Sequence, residues 1–321
     1  MKALLCLMAA ALCLAGGSQV AKIVGEGVIS TPGYEDGFAV TPDGKTAFFG
    51  KRSPATDNHS MQVICVTHRD SDGHWGAPEI AAFSGEYHDL GPSMSPDGTR
   101  LYFISDRPNG DSSMHNFHIW YVTFESEGWS REPRALAAPV NSDAQEYGVS
   151  IAANGTLYFG SSRKGGTGSF DIYRSKLENG EYKTVENLGA AVNTEGPEVQ
   201  PAISPDERIL VFTAGGRADE RIGVHREYAH GDLYVSFQVN GAWTPARNCG
   251  EPINGGGAES WPAFSSDGER FFFTSERGFA TKRLRRRMTW AEIERGLKSN
   301  LNGLGNIYEI ESGVLKALEP R

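Results

Sequence analysis

The chain has 321 residues, 39 of them glycine, and a formal net charge of −9. So acidic a chain argues against a nucleic-acid partner, because nucleic-acid binding needs a basic face. No apolar segment after residue 21 suggests a membrane span. The many glycines are expected of a chain with many turns.

The N-terminal segment has the order of a secretory signal. Lys2 precedes an apolar run from Ala3 to Ala15, and the small residues Gly16, Gly17 and Ser18 follow. A charged start, a short apolar core and a small-residue exit are typical of a cleaved leader, and this run is too short to span a bilayer. We therefore predict a signal peptide over residues 1–21, a periplasmic or secreted location, and one domain over residues 22–321.

One phrase then recurs along the chain: an acidic residue, a strand, a tight turn and a second strand. The five copies begin at Glu35, Asp89, Glu146, Glu198 and Glu259. Their turn residues are Asp43, Asp97, Asn154, Asp206 and Asp267, at spacings of 54, 57, 52 and 61 residues. Periods of this size are typical of solenoids and propellers.

Each unit continues with a third strand and an aromatic residue that opens a fourth. The third strands read MQVICV, FHIWYV, FDIYRS, GDLYVS and GNIYEI, and the aromatic residues are Trp75, Trp129, Tyr182 and Trp243. Four antiparallel strands per unit, repeated radially, form a β-propeller. We predict an all-β fold with five four-stranded blades, since six blades would need a unit that the sequence lacks.

The two ends of the chain each resemble half of a fourth strand. VGEGVIS from Val24 resembles a second half, and GVLKALEP from Gly313 resembles a first half. We expect the termini together to complete the outer strand of the fifth blade, which closes the ring and removes an open sheet edge.

The phrases SPDGTRLYFISDR and SSRKGGTGSFDIYRS resemble the WD40-like repeat called PD40. That repeat occurs in TolB-type propellers and in periplasmic proteins with a peptidoglycan-binding OmpA-like domain. The resemblance covers nearly the whole chain after the leader, but the extra domains of those proteins have no counterpart here. It therefore implies a propeller fold and an envelope setting, and fold alone gives no function.

The five acidic residues are expected around one mouth of the channel, with Arg52, Arg107, Arg163 and Arg277 at the exits of second strands. Because the acidic residue recurs in every blade, a structural ion pair with an arginine is the favoured role. Structural ion pairs often resemble functional carboxylates. In the functional alternative, Glu35, Asp89, Glu146, Glu198 and Glu259 bind a cation, or two of them serve as acid and base.

Two positions into the first strand the units differ: three have glycine, whereas the last two have Gln200 and Trp261. We predict ligand contacts from Trp261, Gln200 and the four arginines, with channel packing as the alternative for Trp261. No motif indicates a cofactor, and the spacing of His115, His118, His225 and His230 does not define a metal site.

The fifth unit carries an insert over about 279–304. Thr289 and Glu292 form a capping-box pattern, and Trp290, Ile293, Leu297 and Leu301 form one helical stripe after the basic run Lys282–Arg287. The sequence predicts a short helix, either packed on its blade or serving as a lid or docking element for an anionic ligand or acidic partner.

These features favour an exported, non-catalytic propeller that binds a protein or glycan at the channel mouth. The alternative is a carbohydrate-active enzyme, a glycoside hydrolase or lyase, that uses the mouth carboxylates with Trp261 as a stacking platform.

Overall fold

A computed structural model describes residues 20–53, 61–109, 116–126, 128–219, 231–278 and 286–320. The predicted leader over residues 1–21 lies almost entirely outside these ranges. Within them the strands form five antiparallel blade sheets and one separate two-stranded hairpin, and the five first strands contact one another in a closed ring around a central channel. The predicted five-bladed propeller is confirmed.

The strands run from the channel outward in chain order within each blade. Strand β1 covers Lys22–Ile23 and belongs to the sheet of blade 5; blade 1 contains β2 (Glu35–Val40), β3 (Thr46–Arg52), β4 (Gln62–His68) and β5 (Glu79–Ile80). Blade 2 contains β6 (Asp89–Met94), β7 (Arg100–Ser105), β8 (His118–Glu125), β9 (Gly128–Trp129) and β10 (Arg134–Ala135). Blade 3 contains β11 (Glu146–Ile151), β12 (Leu157–Ser161), β13 (Asp171–Ser175), β14 (Leu177–Glu178), β15 (Glu181–Tyr182) and β16 (Glu186–Asn187). Blade 4 contains β17 (Glu198–Ile203), β18 (Ile209–Ala214), β19 (Asp232–Val239), β20 (Ala242–Trp243) and β21 (Arg247–Asn248). Blade 5 contains β22 (Glu259–Phe264), β23 (Arg270–Ser275) and β24 (Asn306–Glu311); the helices are α1 (Trp290–Leu297) and α2 (Gly313–Lys316).

The hydrophobic core lies between the blades. One cluster of buried apolar side chains fills each junction between neighbouring blades, including the junction of blade 5 with blade 1. Strand β18, a second strand, is buried along its whole length and apolar except at Thr213, because both of its faces pack against a neighbour. Removing any one blade would therefore expose two clusters.

The expectation that both termini form the outer strand of blade 5 is half right. Strand β1 pairs with β24, Lys22 opposite Glu309 and Ile23 opposite Tyr308, so the N-terminal segment does close the ring. The C-terminal half is wrong, because the chain from Gly313 forms α2 and buries Leu315 between blades 4 and 5. Ser312 hydrogen-bonds to the carbonyls of Gly268 and Glu269, which turns the chain out of the sheet.

The insert contains the predicted helix. In α1 the Thr289 side chain accepts from the Glu292 N–H, and Glu292 accepts from the Thr289 N–H, which confirms the capping box. The insert residues 279–285 lie outside the described ranges. Cys65 and Cys249 are buried and not joined by a disulfide. No helix in the described part of the chain is both long and apolar enough to cross a membrane.

Candidate functional site at the central channel

The five predicted acids form a ring, named here the acid ring, at the end of the propeller where the first strands begin. We call this end the acid face and the opposite end, with the Asp-Gly turns, the turn face. Each acid is the first residue of its first strand, and all five are fully buried, namely Glu35, Asp89, Glu146, Glu198 and Glu259. The carboxylates therefore do not reach the solvent at the mouth; they turn into the blades.

In four blades an arginine beyond the second strand pairs with the acid. The separations are 2.6 Å for Arg107–Asp89, 3.1 Å for Arg163–Glu146, 2.8 Å for Arg217–Glu198 and 3.6 Å for Arg277–Glu259. We call these four residues the anchoring arginines. Arg217, which follows two glycines in the sequence, takes the same position as the others.

Each anchoring arginine also binds the loop that leads into its first strand. Arg163, for example, donates to the carbonyl of Val140, and its guanidinium lies 5.1 Å from the ring centroids of both Phe159 and Tyr173. The other three donate to Phe83, Val192 and Ile253. A charge-assisted hydrogen bond combined with aromatic stacking fixes the loop on the blade.

A hydroxyl four or five residues before the acid completes the arrangement in four blades. Its members are Thr31, Ser84, Ser142 and Thr194, which donate to the carboxylate at 2.5–2.7 Å. Blade 5 has Gly255 at this position. Burial raises the pKa of Asp89 and of Glu198, although their arginines and hydroxyls oppose that effect.

Blade 1 departs from the pattern. Lys51, not an arginine, pairs with Glu35, because Lys51 stands opposite Glu35 where blade 2 has Ser105 opposite Asp89. Arg52 is exposed, and its guanidinium lies 4.0 Å from the Tyr34 ring centroid. The equivalence that the sequence indicated between Arg52 and the other three arginines is therefore wrong.

The residue two positions into each first strand lies in a β-bulge with positive φ. Gly37, Gly91 and Gly148 occupy it in blades 1 to 3, whereas Gln200 (φ 53°) and Trp261 (φ 49°) occupy it in blades 4 and 5. A residue with a side chain is uncommon in this conformation, so these two positions carry strain that the surroundings must offset.

Gln200 and Trp261, named here the channel plug, close the channel at the bulges. Trp261 is 7% exposed, and a Cβ built on Gly91 would lie 1.9 Å from its Cζ3 atom, so the indole needs glycine there. Gln200 Oε1 accepts a hydrogen bond from the backbone N–H of Trp261 at 3.1 Å and another from the Thr213 hydroxyl at 2.8 Å. Gln200 Nε2 is buried without a hydrogen-bond partner among the described residues.

A narrow cavity continues from the plug toward the turn face. Its walls are the later residues of the first strands, including Val40, Met94, Ile151, Ile203 and Phe264. The space open to the centres of water molecules is about 40 Å³, which is enough for a few waters and too small for a sugar ring. The acid ring and this cavity thus lie on opposite sides of the plug.

At the acid face, five residues that break the repeat lie together: Tyr34, Asp36, Arg52, Tyr147 and Glu276. We call them the rim cluster. Gln62 Nε2 donates to both oxygens of Asp36, and the Tyr34 hydroxyl lies 3.4 Å from Glu276 Oε1. Burial, then the charge of Asp36, raises the pKa of the Tyr147 hydroxyl, whereas Arg52 lowers it, so blades 1 and 3 face each other across the mouth.

Sequence reasoning missed four members of the rim cluster. A signal was present, since Asp36 stands where the other blades have Leu90, Tyr147, Val199 and Ser260. A search for repeated residues does not find this position, because the residue after the acid differs in all five blades.

Glu259 differs from the other acids in the ring. Ser275 donates to Oε1 at 2.7 Å, Arg277 is 3.6 Å away, and Oε2 has no partner of hydrogen-bond geometry among the described residues. Burial is the main cause that raises the pKa of Glu259 to about 7, with a further contribution from the charge of Asp232. This carboxyl group is therefore part-protonated near neutral pH.

Within the described ranges, no group of three His, Cys, Asp or Glu side chains is arranged to hold a metal ion. His118 Nδ1 lies 3.0 Å from Glu146 Oε2, so this histidine of blade 2 contacts the acid of blade 3. His115, His225 and His230 lie outside the described residues.

No protein-family model matches the chain. No curated protein matches it either. Among solved structures, it is similar to a puromycin-hydrolysing peptidase of Mycobacterium tuberculosis, at 15% identity and TM-score 0.42 over 75% of this chain and 34% of the peptidase. It is also similar to regucalcin of Agrobacterium tumefaciens, a calcium-binding protein, at 14% identity and TM-score 0.44 over 92% and 94% of the two chains. The chain thus spans about a third of the peptidase, and we take no functional assignment from similarities of this degree.

Proposed function

We propose that this chain is an exported, non-catalytic binding or scaffold propeller of the PD40 type that recognises a protein or glycan partner at the acid face. The observation that carries the proposal is the departure of blade 1 from the repeat. Four blades use an arginine to anchor a loop, whereas blade 1 uses Lys51 and presents Arg52 on Tyr34 at the rim.

Residues that the fold requires recur in every blade, whereas residues that recognise a ligand can occur in a single blade. Asp36, Arg52 and Tyr147 break the repeat and lie near one another at the mouth, contributed by blades 1 and 3. The acid ring and the anchoring arginines Arg107, Arg163 and Arg277 repeat, and their contacts are within and between blades. In the proposal they support the loops, and Gln200 and Trp261 form the floor beneath the ligand.

The rim cluster offers chemistry suited to a polar ligand. An exposed guanidinium on a phenol ring can bind a carboxylate or a sugar hydroxyl, and the half-buried Glu276 carboxylate can accept hydrogen bonds from hydroxyl or amine groups. Asp36 is buried and held by Gln62, so it adds negative charge to the rim cluster without contacting the ligand. A glycan or an acidic peptide segment presents both kinds of group.

The envelope setting rests on sequence features. The N-terminal segment has the order of a secretory leader, and SPDGTRLYFISDR and SSRKGGTGSFDIYRS resemble PD40 repeats. A periplasmic or secreted location is part of the proposal on these grounds.

The test uses two matched arginines. Arg69 is also exposed, and its guanidinium lies 4.3 Å from the Trp75 ring centroid, outside the rim cluster. We expect Arg52→Ala to weaken binding on an array of bacterial glycans and peptidoglycan fragments by roughly tenfold, as loss of a stacked cation does. Arg69→Ala should bind like the unaltered chain.

A protein partner is tested with the same pair of positions. A photoreactive residue at position 52 should crosslink one protein that position 69 does not, and that purified protein should then bind Arg69→Ala but not Arg52→Ala. Cleavage of any array glycan, abolished by Glu259→Gln in a folded chain, would overturn the non-catalytic proposal in favour of the carbohydrate-active alternative.

A further inference from the structure

The insert presents an unusual concentration of exposed apolar side chains. Eleven large apolar residues are exposed in the described chain, and six of them lie between residues 288 and 304: Met288, Trp290, Ile293, Leu297, Leu301 and Leu304. Trp290 is 72% exposed and Leu297 66%. Apolar groups clustered at a surface in this way mark an interaction site more often than apolar residues scattered singly do.

The predicted stripe of α1 faces away from the propeller. Trp290, Ile293 and Leu297 follow helical spacing, and Gly296 is the buried residue of α1. The segment after the helix is attached to the edge of blade 1, since Asn302 Nδ2 donates to the Pro32 carbonyl at 2.8 Å and Asn300 Nδ2 to the Ser30 carbonyl at 3.4 Å. The helix is thus held at its base while its apolar side remains uncovered.

The charge of this surface opposes that of the chain. Arg286, Arg287, Arg295 and Lys298 accompany α1, against Glu292 and Glu294, whereas the chain carries −9. Glu292 is engaged by the Arg286 guanidinium and by the Thr289 cap, and the Arg286 hydrogen bond first, then the cap, lowers its pKa to about 2. Three cations and one carboxylate therefore remain beside the apolar stripe without that pairing.

We propose that α1 and its flanking cations dock the propeller on an anionic phospholipid surface, with Trp290, Ile293 and Leu297 entering the interface between headgroups and acyl chains. A short amphipathic helix with tryptophan and leucine on one side and arginine or lysine on the other binds this way. The stripe is the exposed side of a single helix, so it presents a convex surface that suits a deformable interface. Each cation near such a surface adds to the electrostatic attraction.

The acidic body does not prevent this docking. Exposed charges are screened over about 8–10 Å at ordinary ionic strength, so the local positive charge of the insert determines the interaction at close range. The insert joins β23 to β24 at the acid face, and docking would hold the edge of that face at the headgroups. The proposal does not depend on what the rim cluster binds.

The experiment is flotation of the full chain with vesicles of phosphatidylcholine alone or mixed equally with phosphatidylglycerol, at low and at high salt. Neutral vesicles report any binding by the apolar run near the N-terminus, which is unchanged in every variant. We expect at least tenfold stronger binding to the anionic vesicles, reduced by high salt. Trp290→Ser/Leu297→Ser and, separately, Arg287→Glu/Lys298→Glu should each weaken anionic binding by about tenfold or more.

The matched control is Ile80→Ser, which removes an apolar side chain that is 58% exposed in blade 1. It should bind anionic vesicles like the unaltered chain. Equal binding to neutral and anionic vesicles, or variants that bind like the control, would overturn the proposal. Sedimentation that shows a dimer lost in Trp290→Ser/Leu297→Ser, without vesicle binding, would also overturn it and assign the stripe to a second copy.

Discussion

Glu146 of blade 3 and Glu259 of blade 5 occupy the same position in the repeat and have opposite surroundings. Glu146 is held by Arg163 at 3.1 Å, His118 at 3.0 Å and the hydroxyls of Ser142 and Ser161 at 2.6 Å and 3.2 Å. Glu259 has Ser275 at 2.7 Å and a more distant arginine at 3.6 Å.

The difference comes from two substitutions. Gly255 replaces the hydroxyl that Ser142 provides, and the neighbour from the preceding blade is Asp232 in place of His118. A cationic or donor neighbour favours the carboxylate, whereas a second carboxylate favours a proton. The same position in the repeat thus carries in blade 3 a carboxyl group with four hydrogen-bonding or ion-pair partners and in blade 5 a group whose pKa is raised to about 7.

The largest contrast is expected on removal of the arginines. Arg163→Ala should lower the free energy of unfolding by about 3–5 kcal/mol, since it leaves a buried carboxylate without its main cation. Arg277→Ala should cost less, about 1–2 kcal/mol at pH 6, because Glu259 can become neutral. Urea unfolding measures both, and equal losses would contradict the comparison.

The pH dependence of stability comes next. The pKa of Glu259 is about 7 in the folded chain and 4.5 as its unperturbed value, so the folded state binds more protons between these pH values. The stability contributed by this proton is fully present below pH 4.5 and is lost as pH rises through 7. The free energy of unfolding should fall by about 2–4 kcal/mol over this range. Glu259→Gln should remove that decline in urea unfolding at a series of pH values, and a variant with an unchanged slope would reject this assignment.

Glu146→Gln provides the third contrast. It weakens charged hydrogen bonds to Arg163 and to the loop, so we expect a loss of roughly 1–3 kcal/mol at neutral pH. Glu259→Gln should be neutral or stabilising under the same conditions. A stabilised Glu146→Gln, measured by thermal unfolding, would show that the acid ring is held under repulsion in blade 3 as well.

The smallest effect is expected from restoring the missing hydroxyl. A Cβ on Gly255 would lie 3.4 Å from Glu259 Oε1, so Gly255→Ser brings a donor to the carboxylate. It should stabilise the chain by about 1 kcal/mol at pH 8 and less at pH 5. Gly255→Ala is the control, because it lacks the donor but restricts the unfolded chain equally. Identical pH profiles for the two variants would exclude the hydrogen bond.

The fold was predictable because its signals repeat. A period near 55 residues, alternating apolar strands and five acids in register are redundant, and an error in one blade is corrected by the others. The orientation of the acid side chains could not be predicted. Neighbouring residues of a strand point to opposite sides, and the sequence does not say which side faces the channel. The Asp36 side chain lies in the rim cluster, where Gln62 donates to it. The side chain of Glu35, one residue earlier, turns into blade 1, where the Thr31 hydroxyl donates to it.

Single-copy features were the hardest to predict. Arg52 appeared equivalent to Arg107 until the register placed Lys51 opposite Glu35. The segment from Gly313 has the residues of an outer strand, but tertiary hydrogen bonds from Ser312 direct it into a helix. Where one blade departs from the repeat, a prediction from local propensity cannot be checked against the other blades.

The pairing of β1 with β24 also sets the order in which the molecule can be completed. Ser30 and Ile307 are joined by hydrogen bonds through Ser30 Oγ although 277 residues separate them. Among the described strands β1 is made first and its partner β24 is made last, so β1 stays without its partner until nearly all of the propeller has been made. Contacts of such long range form slowly and late. If the chain is translocated across a membrane unfolded, the ring closes only after translocation. The chain that the transport machinery binds then has an unclosed ring.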